Sequence, residues 1–160
     1  MTSLSDGAAY GPARTPWHLW VVGVISVLWN AFGCYDYLMT NLQGDAYLRQ
    51  SGAGMGWTPS QVDAFVAYYN SMPAWMTAVW AVGVWGGLLG AVLLLLRRKL
   101  AVPVFLVSLL AYVLSVVNTF ILTEAPDFVQ STIGMQVVIF VGCLVFLIYS
   151  WWMAKRGVLR

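Results

Sequence analysis

The chain has 160 residues, 61% of them hydrophobic and only 9% charged, with a net charge of +2. A soluble domain of this size cannot hide so much apolar surface, which excludes the ordinary globular classes. Two Cys with no paired spacing and a single His point to neither a metal cluster nor a haem.

Residues 1–16 are polar and include Gly7, Gly11, Pro12 and Pro16, the composition of a disordered tail. Four apolar runs follow, at about 17–39, 73–96, 101–122 and 133–154. Each is long enough to cross a bilayer, which takes about 20 residues of helix. Pro16 suits a helix start, and Trp17 and Trp20 suit the headgroup belt. The first run is too long for a cleaved signal peptide.

The longest connection is 40–72. Its stretch Ser51-Gly52-Ala53-Gly54-Met55-Gly56 reads as flexible. Thr58-Pro59-Ser60-Gln61 then forms a capping box with Pro at the first helical position. Val62, Phe65, Val66 and Tyr69 recur at helical spacing. The pattern predicts a short amphipathic helix over 59–70, lying on the membrane surface or over the mouth of the bundle.

Pro73 opens the second span, which carries Gly83, Gly86, Gly87 and Gly90. Glycines at this spacing give a flat stripe where another helix approaches closely, either within the chain or from a second copy. The short turn before 101 makes spans two and three an antiparallel hairpin, and Pro103 falls in a first turn where it need not kink the helix. A second turn over 123–132 holds Thr123, Glu124, Pro126 and Asp127. The fourth span ends in Tyr149, Trp151 and Trp152, before a basic tail over 155–160. Cys34 and Cys143 fall at different depths, so no disulfide is expected.

Seven of the eight Lys and Arg collect on one side: Arg14, Arg97, Arg98, Lys99, Lys155, Arg156 and Arg160. Only Arg49 lies on the other. The positive-inside rule makes the crowded side cytoplasmic, with both termini inside. The Arg97-Arg98-Lys99 run is then a topology signal, and no nucleic-acid partner is expected. Membrane lipids are the expected surroundings, with a homodimer or a larger membrane complex as further partners.

Polar side chains within spans are costly and turn toward the bundle interior. By helical rise, Asp36 lies about 12 Å outward of the middle of its span, Asn118 about 9 Å and Gln136 about 10 Å. Trp75 and Trp80 reach nearby levels, and Asn30 lies deeper. These six residues define a candidate polar cavity in the outer half of the bundle. Its alternative is a set of interhelical hydrogen bonds. His18, beside Trp17 and Trp20, reads as an interfacial polar residue rather than a ligand. No catalytic triad, metalloprotease motif or phosphate loop appears, so no enzymatic activity and no cofactor are expected.

Two segments carry a resemblance. One runs from Pro16-Trp17-His18-Leu19-Trp20 through Leu28-Trp29-Asn30-Ala31-Phe32-Gly33 to Asp36-Tyr37-Leu38-Met39-Thr40. The other runs from Pro73-Ala74-Trp75 through Trp80-Ala81-Val82-Gly83-Val84-Trp85-Gly86-Gly87 to Arg97-Arg98-Lys99 and Pro103. They resemble a family of small four-span proteobacterial proteins often labelled "sugar transporter" or "hypothetical". The resemblance implies a bacterial inner-membrane location and transfers no catalytic residue.

The reading is an all-α fold: a four-helix transmembrane bundle with a short amphipathic helix on the outer, periplasmic side. Its expected role is that of an accessory or scaffold protein, or a binder of a small lipophilic ligand. The alternative is a small dimeric transporter coupled to a cation through Asp36.

Overall fold

The structure, a computed structural model, describes residues 15–123 and 126–160. The tail read over 1–16 therefore falls, up to residue 14, outside the described residues, as does Glu124. The described residues are helical throughout, joined by short turns.

Helix α1 spans Trp17–Gln43, passing the expected limit at 39. It stops at Gly44, whose φ of 55° and ψ of −128° lie where glycine alone is at ease. Helix α2 follows over Asp45–Gly54 and α3 over Pro59–Asn70. The long apolar helices α4 (Ala74–Leu95), α5 (Ala101–Val117) and α6 (Ile133–Lys155) complete the chain. A π-helical turn, Asn118–Leu122, extends α5, and a 3-10 turn, Asp127–Thr132, leads into α6. Four helical segments are long and apolar enough to cross a membrane, which makes this a multi-pass membrane protein.

The stretch 51–56, expected to be flexible, instead ends α2. Gly56 takes a φ of 78°, its N–H bonds to the Ala53 carbonyl, and the Trp57 N–H bonds to the Gly52 carbonyl. This reciprocal pair is a Schellman motif, which closes a helix on a left-handed residue. Gly52 is buried where α2 meets α3; a Cβ there would sit 3.0 Å from Val62 Cγ2 and 3.2 Å from Trp57 Cε3. The glycines serve packing and termination rather than flexibility.

Helix α3 begins where the capping box sets it. The Gln61 N–H donates to Thr58 Oγ1 at 3.4 Å, and the Thr58 N–H donates to Gln61 Oε1 at 2.9 Å. Its Val62 and Val66 are buried, as are Leu48 and Gly52 of α2. The α2–α3 unit covers one end of the bundle. Tyr68 bonds Thr123 through their hydroxyls at 3.0 Å, and the Trp57 ring meets the Phe128 ring edge-on at 5.0 Å.

In the bundle α4 is central, packed on α5 and α1, while α6 leans on α5. The glycine stripe makes this possible. A Cβ on Gly90 would lie 2.8 Å from Phe105 Cδ1, and one on Gly86 would lie 3.4 Å from Ser108 Cβ. On Gly87 it would collide with Asn30 Oδ1. The stripe is therefore covered within the chain by α1 and α5, and a second copy would need another face. Helices α1 and α6 meet mainly through side chains: His18 Nδ1 lies 2.6 Å from the Tyr149 hydroxyl, and Trp29 lies against Gly142.

The basic end is closed by the last residues. Gly157, with φ 72°, ends α6 in another Schellman motif, its N–H bonded to Ala154 and that of Val158 to Met153. The chain then turns inward rather than trailing away as the expected basic tail. Leu159 is 1% exposed and joins Val158, Met153, Leu19, Leu94, Ala101 and Phe105 in the core. Its neighbour Arg160 exchanges two backbone hydrogen bonds with the α4–α5 turn, N–H to the Arg97 carbonyl (2.6 Å) and carbonyl from the Lys99 N–H (2.9 Å).

Candidate functional site

The intramembrane polar residues do not share one hydrogen-bond network among the described residues. Deepest is the level of Asn30. Its Nδ2 donates to the Ser26 carbonyl at 2.8 Å and approaches Ser26 Oγ at 3.5 Å, while its Oδ1 rests over Gly87. Beside it, Ser108 of α5 donates to the Gly83 carbonyl at 2.6 Å. The Ser108 bond ties α5 to α4, whereas both Asn30 bonds stay within α1, and the Asn30 side chain reaches α4 only by packing over Gly87.

Asp36 sits at the other end of α1. Its Oδ1 accepts the Tyr47 hydroxyl at 2.8 Å, so the acid is tied to α2. Tyr37, one residue on, meets Trp80 of α4 edge-to-face at 5.0 Å, and Tyr69 of α3 meets the same indole at 6.4 Å. Burial first, then the bond to Asp36 and its charge, push the Tyr47 phenol above its ordinary value. Burial, then Tyr37 and Asp36, do the same to Tyr69. Trp75, grouped with Trp80 by depth, is 48% exposed and joins no cluster.

Asn118 opens the π-helical turn. The side chain is 4% exposed, and its Nδ2 meets no acceptor among the described residues. Its own carbonyl is well used, accepting from the Thr123 N–H at 3.0 Å and the Thr123 hydroxyl at 2.8 Å. The wider π geometry frees room for these bonds, and such turns recur at functional sites.

Gln136 faces α5. The Tyr112 hydroxyl donates to its backbone carbonyl at 2.7 Å and lies 2.8 Å from its Oε1. The pair lines a groove of about 340 Å³ between α5 and α6. Its other walls are apolar: Val113, Val116 and Val117 from α5, Phe120 from the π-helical turn, and Ile133, Val137 and Phe140 from α6. Gln136 Oε1 is engaged by Tyr112. The Tyr112 hydroxyl is the partner of Gln136, a contact that helical depth alone does not reveal.

Asp36, Asn118 and Gln136, which helical rise sets at one end, share no hydrogen bond with one another among the described residues. Asp36 is bonded to α2, Gln136 to α5, and Asn118 stands alone. His18 lies at the basic end, bonded to Tyr149 and stacked on Trp152 at 6.2 Å. Trp152 also lies under Arg156 at 3.7 Å, and Trp151 lies under Lys155 at 4.1 Å. Both cysteines are free, with Cys34 Sγ directed at the Val84 carbonyl. Among the described residues no three His, Cys, Asp or Glu side chains gather as metal ligands.

No described protein family, curated protein or solved structure matches the chain.

Proposed function

We propose that this protein is a non-catalytic protein of the bacterial inner membrane that binds a lipophilic ligand in the groove between α5 and α6. The ligand is an acyl chain. The observation that carries this is the groove itself, about 340 Å³ with almost wholly apolar walls, crossed by the Tyr112–Gln136 hydrogen bond that ties α5 to α6. Gln136 lies about 10 Å from the middle of its span, which is about 5 Å inside the hydrocarbon boundary. That is the depth at which a glycerolipid turns from chain to ester.

The collection of Lys and Arg at the opposite end supports a cytoplasmic basic end and an outer-leaflet groove. A cation-coupled carrier would need Asp36 on a path through the bundle, and its bond to Tyr47 of α2 favours binding over transport.

A glycerolipid with a photoreactive group midway along one acyl chain tests the proposal in nanodiscs holding the full chain. The expected result is crosslinking concentrated on Val113, Val117 and Val137, and weakened by Val117→Trp, which fills the groove. Uniform labelling of all outward-facing helix surfaces, unchanged by Val117→Trp, contradicts it.

A further inference from the structure

We infer that the α2–α3 cap is a latch on the α5–α6 groove: the Tyr68 hydroxyl, acting through Thr123, holds residues 118–122 in the π-helical register that keeps Phe120 in the groove wall. Release of that contact lets the turn relax to the α-helical register and takes Phe120 out of the wall. The consequence for a ligand rests on the proposed occupancy of the groove by an acyl chain, whereas the change of register does not.

Proton accounting gives the contact its direction. Thr123 has one hydroxyl proton, and it goes to the Asn118 carbonyl at 2.8 Å, which can only accept. The Tyr68 hydroxyl, 3.0 Å from Thr123 Oγ1, is therefore the donor. Helix α3 thus starts a chain of bonds that ends on the first residue of the π-helical turn. The Thr123 N–H bonds the same Asn118 carbonyl, five residues back, at 3.0 Å. The acceptor that an α-helix would use is the Thr119 carbonyl, four residues back, and it lies 3.4 Å from Thr123 Oγ1. The two registers therefore differ by one residue, and both acceptors stand beside Thr123.

The register matters because Phe120 lies inside the turn and lines the groove, next to Val116 and Val117. A π-helical turn winds less per residue than an α-helix, so the two registers diverge by up to about 100°, one α-helical residue. Phe120 is midway along the turn and rotates with it. The turn also carries a cost of its own: Asn118 is buried, and its Nδ2 has no partner among the described residues. Such a cost persists only where surrounding contacts over-determine the geometry. The cap supplies them on both sides of the groove's outer end. Tyr68 holds Thr123 on one side. On the other, Trp57, braced by Phe65 at 5.1 Å, meets Phe128 in the 3-10 turn that leads into Ile133, a residue of the facing wall.

The probe is 4-fluorophenylalanine at position 120 of the full chain in nanodiscs, read by fluorine NMR. The expected result is one main resonance with Tyr68 in place and a second in Tyr68→Phe, its share raised about two- to tenfold, the worth of one hydrogen bond. Thr123→Val, which also lacks the hydroxyl, gives the same second resonance, and Thr123→Ser, which retains it, does not. The photoreactive glycerolipid reads the consequence: its crosslinking to Val117 and Val137 falls about two- to tenfold in Tyr68→Phe. Uniform crosslinking in the unaltered protein is a failure of the groove proposal alone, because the fluorine comparison uses no lipid probe. Identical fluorine spectra with and without the Tyr68 hydroxyl, or a second resonance that leaves concentrated crosslinking unchanged, overturns the inference.

Discussion

Asn118 buries an amide whose protons meet no acceptor among the described residues, and a buried donor without a partner costs about 1–3 kcal/mol. Asn118→Leu keeps the branching at Cγ and removes the donor, so it raises stability by about 1 kcal/mol in detergent unfolding. A loss of stability would mean that Asn118 holds a partner outside this chain's own atoms. Gly90 tests packing in the same way. A methyl there meets the Phe105 ring, which is itself stacked on Phe146 at 6.3 Å and has little room to yield. Gly90→Ala therefore costs about 1–3 kcal/mol, while Gly134→Ala, with open space around its Cβ, is close to neutral. The sequence made the depths of Asp36, Asn118 and Gln136 legible, because helical rise is fixed. It did not make their partners legible. Those depend on the order of helices around the bundle and on α2, which supplies Tyr47 from a segment with no sequence signal of its own.

At the scale of elements, the four long apolar helices and α3 were legible because their causes are local: apolar length, a capping box and turn residues. Helix α2 was hidden by Gly52 and Gly54, whose use in packing and termination is visible only with α3 in place. The inward turn of Val158 and Leu159 was hidden too, because a basic flank gives no hint of the core it covers. The α2–α3 cap carries a pH dependence of defined sign. Tyr47 and Tyr69 have raised phenol pKa values, burial being the first cause. The folded state thus prefers the neutral phenols. Their contribution is complete below the ordinary tyrosine value of about 10 and is lost as pH rises through the higher folded values. Phenolate absorbance should show late-titrating tyrosines, one of which disappears in Tyr47→Phe. In that variant the alkaline loosening of the cap, read by protease cleavage between α2 and α3, is smaller. Normal titration of every tyrosine would contradict the packing of the cap.

The whole molecule is an up-and-down bundle whose two ends differ in charge and construction. The basic end is sealed by Leu159 and by the backbone pairing of Arg160 with the α4–α5 turn. The acidic end is covered by two amphipathic helices and holds Asn118, whose side-chain amide has no partner among the described residues. Such an arrangement in a bilayer points its interaction chemistry toward one leaflet. The account rests on these helices crossing the membrane with the basic end in the cytoplasm, and substituted-cysteine labelling tests that most directly. In a background with Cys34 and Cys143 replaced by Ala, a membrane-impermeant maleimide applied to intact cells should label Ser60→Cys on exposed α3. It should label Arg98→Cys, on the exposed α4–α5 turn, only after the cells are opened. Labelling of Arg98→Cys in intact cells, or identical labelling of both positions, would contradict the account.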